Sequence, residues 1–136
     1  MLSKKQIQQQ IAYWHQSAQE KLKTVRGLYQ IRRYADCLFF GHLILEQTLK
    51  ALVAEATREH PPRSHNLTHL ANLADISLSA AEINLLDKVS EFNMDARYPD
   101  EKLEFYKICT KSYTDQYYLP IIALHNKLCQ LAKSKN

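Results

Sequence analysis

Two glycines and four prolines are few for a chain of 136 residues. Sandwiches, barrels and doubly wound sheets need turn residues every ten or so positions, so a β-rich fold is nearly ruled out. Glycine-rich phosphate loops go with it. Gly27 and Gly41 stand alone, and a bound anion has to be held by side chains or helix ends. Cysteine is scarce too. Cys37, Cys109 and Cys129 are far apart, odd in number and lack a C-x-x-C spacing, which argues against a disulfide framework and for a reducing compartment. Long apolar runs are missing as well. The start, Met1-Leu2-Ser3-Lys4-Lys5-Gln6, has no apolar signal core, and the stretch 37–45 is interrupted by His42 and too short to span a bilayer. A cytoplasmic location without membrane attachment is the expectation.

What is present suffices for one core. Hydrophobic residues make up 46% and charged residues 24%, so residues 1–136 read as a single domain. The formal charge of +4 is mild. It permits an anionic partner without demanding one.

Helical spacing dominates. Ser3 with Gln6 is a capping-box pair, after which Ile7, Ile11, Trp14, Ala18, Leu22, Val25 and Tyr29 recur at threes and fours. A break near residues 27–32 precedes a second helix with Tyr34, Cys37, Leu38, Gly41, Leu45, Leu49 and Leu52, ending before Pro61-Pro62. Asn66 caps a short helix carrying Leu67, Leu70 and Leu73, and Ser79 with Glu82 opens a fourth with Ile83, Leu86 and Val89. Residues 95–104 lose the period. Tyr113, Tyr117, Ile121, Leu124, Leu128 and Leu131 mark a C-terminal helix, where Pro120 should kink or restart the chain. A basic tail, residues 131–136, is expected to fray. The fold class is all-α, an antiparallel up-down bundle of four to five helices.

Several groups are candidates for chemistry. His60, His65 and His69 cluster, but no H-E-x-x-H, nearby cysteine or diagnostic carboxylate spacing accompanies them, so no metal or other cofactor is expected. His65 reads as a loop-fixing hydrogen bonder. His42, Glu46 and Lys50 form an i, i+4, i+8 row on the second helix. Such a row reads first as a solvated face; the alternative sets it, with Phe39, along a groove for an anionic or nucleotide ligand. Phe39 and Leu43 fall inside the same polar arc. With Glu46 and Lys50 they form the candidate protein contact surface. The most distinctive segment is Asn93-Met94-Asp95-Ala96-Arg97-Tyr98-Pro99-Asp100, which presents a guanidinium fork and an aromatic face beside a proline. Arg97 either binds phosphate or pairs with Asp95 or Asp100 to hold the turn.

These segments together resemble the HEPN family, the higher eukaryotes and prokaryotes nucleotide-binding domain, over residues 13–131. The resemblance rests on Tyr13-Trp14 with Ser17-Ala18, on the second helix from Tyr34-Ala35 through Phe39 to Leu45-Glu46 and Leu49-Lys50-Ala51-Leu52, on Ser64-His65-Asn66-Leu67, and on Ala96-Arg97-Tyr98-Pro99-Asp100. It implies an antiparallel bundle of four to five helices. Ribonuclease members of the family carry Arg followed after four to six residues by His, and act without metal as dimers. Arg97 fits the arginine position, but Lys102 stands where histidine should, and an ammonium is a poor base at neutral pH. Arg58 to His65 and Arg63 to His69 match the spacing by chance, straddling a loop in the wrong place.

The leading expectation is therefore a non-catalytic, dimeric member that binds a nucleotide or RNA phosphate through Arg97, Tyr98, Asp100 and Lys102. Its implied protein partner is a minimal nucleotidyltransferase, in a two-protein toxin–antitoxin-like system. The alternatives are a ribonuclease toxin using Arg97 with His65 or Lys102 as a displaced base, and a structural helical scaffold.

Overall fold

The computed structural model describes residues 2–134, with side chains to residue 132. Six helices and no strand occur among the described residues: α1 (Lys4–Gln30), α2 (Tyr34–Thr57), α3 (Leu67–Leu73), α4 (Ala80–Asp95), α5 (Pro99–Ile108) and α6 (Lys111–Ser134). The starts of α1, α3 and α4 follow the local chemistry. Ser3 and Ser79 each close a reciprocal capping box, with Gln6 and Glu82, and Asn66 accepts from the His69 backbone.

The core is organised around α2, which packs against each of the other five helices. Leu38, Ile44, Leu45, Leu49 and Leu52 are fully buried there, pointing in several directions around the helix, as a central helix must. By length and composition α2 could cross a membrane, but 83% of its most apolar window is buried within the chain. It is the core helix of this domain. The α1–α2 pair runs in opposite directions: the Cys37 thiol donates to the Val25 carbonyl at one end, and the Lys50 ammonium lies 5.2 Å from the Trp14 ring centroid nearer the other. Gly41 lets α6 approach closely, since a Cβ there would sit 3.1 Å from the Ile121 side chain.

Several expectations change. The break after α1 falls at residues 31–33 and Gly27 lies within the helix. Residues 95–104, which lack an apolar period, hold most of α5: Pro99 occupies its first turn, Asp100 and Glu101 complement the N-terminal dipole, and Phe105 alone is buried. The sixth helix thus exceeds the four to five expected. Of the kink or restart expected at Pro120, the restart does not occur: α6 is continuous through it to Ser134. The helix therefore continues past Leu131, and the remainder of the expected frayed tail, residues 135–136, lies outside the described residues.

Among the described residues none of the three cysteines forms a disulfide. Burial pushes the Cys37 and Cys109 thiols up to about 12, so neither is a nucleophile at neutral pH. Burial also holds His15, His42 and His125 below the ordinary 6.5. The unfolded chain consequently takes up protons first as the solution is acidified. Stability is full above 6.5 and falls as pH drops through the lower folded values. Calorimetric melting between about pH 7 and about pH 5.5 should show a steadily falling Tm; a flat profile across that window contradicts the assignment.

Candidate functional site

Two connections bring the site together. His65 immediately precedes the Asn66 cap of α3, and that start is tied to α4. The Ser90 hydroxyl accepts from the Leu67 backbone at 3.0 Å, and Thr68 hydrogen-bonds Asp87. Leu67 and Leu70 anchor the short helix in the core. Arg97 lies just beyond α4, in the turn that precedes α5. Its Nε donates to Oδ1 of the buried Asn93 at 3.1 Å, and one Nη lies 3.5 Å from His65 Nε2. Arg97 is exposed, so its outer face is open to a ligand.

Behind His65 stands a buried ion pair. Glu46 Oε1 is 2.7 Å from His65 Nδ1, while Oε2 is 3.2 Å from Lys50 Nζ. The Glu46 and Lys50 side chains are 6% and 8% exposed, against 45% for His65. A carboxylate only accepts, so Nδ1 carries the proton and Nε2 presents its lone pair toward Arg97. His42 completes the cluster. Its Nε2 lies 3.0 Å from the His65 carbonyl, which also only accepts, so the His42 proton sits on Nε2. The His42 Nδ1 is buried without a partner, in keeping with a neutral ring. Lys50 and Arg97 outnumber Glu46, leaving the cluster one positive charge when His65 is neutral.

The His42–Glu46–Lys50 row is thus not a solvated helix face. All three residues are buried, and Glu46 and Lys50 serve the site from inside the protomer, which removes them from the candidate contact surface. Leu43 is half-buried and Phe39 lines a cavity beside α5. Arg97 pairs with neither Asp95 nor Asp100, its polar contacts being Asn93 and His65.

The four residues expected to share one cleft separate. Tyr98 is the exposed N-cap residue of α5. Asp100 lines a different depression with Asp95, Glu101 and Glu104, a surface that repels phosphate. Lys102 reaches the Phe39 cavity and lies 5.9 Å from the Tyr106 ring centroid. The loop-fixing role expected of His65 is carried by its carbonyl, through His42. Among the described residues no three His, Cys, Asp or Glu side chains are placed to hold a metal ion.

Sequence reasoning missed Asn93 and the burial of Glu46 and Lys50. The available signal was α2 itself: Leu43, Ile44, Leu45, Leu49 and Val53 surround that row, and a helix apolar on all sides is buried.

The HEPN domain family model covers residues 11–134, and the chain belongs to that family of nucleotide-binding and ribonuclease-type domains. No curated protein and no solved structure gives a significant match to it.

Proposed function

We propose that the protein binds an RNA or nucleotide with its phosphate on Arg97 and a neighbouring ribose hydroxyl donating to His65 Nε2. The observation that carries this reading is the Glu46–His65–Arg97 alignment. The Asn93 bond takes only Nε, so the terminal nitrogens, one of which faces His65 Nε2, keep further N–H donors for phosphate oxygens, and the cluster's positive charge favours an anion. Arg97→Ala should weaken binding of a labelled short RNA, read by fluorescence anisotropy, by tenfold or more, since a charge-assisted hydrogen bond contributes about 1.5–3 kcal/mol. Equal affinity for wild type and variant contradicts it.

The same alignment favours a second reading, cleavage without metal. His65 Nε2 is oriented to take the ribose 2′-hydroxyl proton while Arg97 stabilises charge on the phosphate. The 2′ oxygen then bonds to phosphorus, the bond to the 5′ oxygen breaks with a solvent proton supplied to that oxygen, and a 2′,3′-cyclic phosphate remains. His65 supplies the base that Lys102 does not.

A homodimer and a minimal nucleotidyltransferase partner complete the proposal on the family resemblance. Light scattering tests the first, and co-purification with an adjacent nucleotidyltransferase reading frame tests the second.

A further inference from the structure

The cavity next to the phosphate site carries chemistry that phosphate alone does not use. It has a volume of about 190 Å³ and is bounded by Asp36, Phe39 and Phe40 of α2, Ala96, and Lys102 and Tyr106 of α5. Pockets for drug-sized ligands begin near roughly 300 Å³, so this one suits a single planar base. It adjoins the phosphate site twice over. Ala96 directly precedes Arg97. Phe39 lies one turn, about 4.5 Å of helix rise, before His42, which contacts the His65 carbonyl.

Aromatic rings give such a cavity stacking faces, which accept any base. Selectivity has to come from Asp36. The Tyr106 hydroxyl lies 3.2 and 3.4 Å from its two oxygens, long for an O–H···O bond. A carboxylate offers about four acceptor sites, so Asp36 keeps capacity for a ligand while Tyr106 orients it.

We propose that this cavity is a guanine subsite, with the base against Phe39 and the Watson–Crick edge on Asp36, serving the RNA or nucleotide whose phosphate lies at Arg97. The assignment rests on the phosphate reading above. Guanine presents two adjacent N–H donors, N1 and N2, to the two carboxylate oxygens. Adenine and cytosine offer one amino group beside a bare ring nitrogen, and uracil flanks its N–H with carbonyls. Each of those sets a lone pair against Asp36, which rejects it. Lys102, at the cavity wall, supplies a donor for the guanine carbonyl beside N1.

Anisotropy with three labelled oligoadenylates tests this, one unsubstituted, one carrying a guanosine and one an inosine, which lacks the N2 amino group. Wild type should prefer guanosine to unsubstituted RNA by about tenfold, with inosine between them. Asp36→Asn should bring all three within about twofold, chiefly by raising the oligoadenylate affinity as the clash with the adenine lone pair is relieved. Tyr106→Phe, which retains the carboxylate but removes the hydroxyl that orients it, should reduce the preference without abolishing it. Equal wild-type affinities, or a guanosine preference surviving Asp36→Asn, overturns the guanine subsite even where Arg97→Ala still weakens every probe and the phosphate reading stands. Absence of binding to any probe overturns both.

Discussion

Replacing Glu46 with alanine lowers the unfolding free energy by about 3–5 kcal/mol, because it leaves a buried ammonium uncompensated. Lys50 is only 8% exposed at its side chain, and its carboxylate partner is Glu46, at 3.2 Å. The Trp14 ring 5.2 Å away offers a cation–π contact, worth about 0.5–2 kcal/mol, too little to replace the ion pair. Urea unfolding reads the loss directly. The double variant Glu46→Leu with Lys50→Met should recover most of it, since apolar residues of similar volume substitute for buried pairs at little cost. That double variant then separates fold from function: it is stable, but His65 has lost the acceptor that orients its ring. If Glu46→Ala costs under about 1 kcal/mol, as a solvated pair would, the buried arrangement is wrong.

The second large effect falls on catalysis. If the protein cleaves RNA, His65→Ala should slow metal-free cleavage by about 10²–10⁴, the range for losing a positioned general base. Binding should fall far less, because Arg97 and its Asn93 tether remain. Arg97→Ala should lower both. The Glu46→Leu, Lys50→Met double variant should lie between, binding RNA but turning it over slowly. Gel analysis of a labelled RNA with chelator present follows the reaction. An intact substrate with wild-type protein retires the cleavage reading and leaves phosphate binding in place.

How far the sequence foretold this differs from element to element. The capped starts at Ser3, Asn66 and Ser79 were legible because a cap is a local contact over three residues. The α5 helix was not, because it buries only Phe105 and so shows no apolar period, although Pro99 with Asp100 and Glu101 is a start signal. Arg97 was found as a residue, and His65 was set beside it only in the ribonuclease alternative, as one of two displaced bases. His65 lies 32 positions earlier and meets it only because Ser90 and Asp87 tie the start of α3 onto α4. Burial of Glu46 and Lys50 eluded the charge pattern for a related reason. An i, i+4 pair has the same spacing on a wet face and in a core, and only the helices packed around α2 decide between them.

Glu46 holds His65 as the Nδ1–H tautomer, with a bare Nε2 turned to accept from a ribose hydroxyl beside the phosphate on Arg97. Nitrogen NMR of the histidine rings, before and after addition of a short RNA, tests it most directly. The account predicts a protonated Nδ1 and a bare Nε2 in the free protein, and an RNA-induced shift at His65 Nε2 that vanishes in Arg97→Ala. A free protein with the proton on Nε2, or a His65 ring unmoved by saturating RNA, would contradict it.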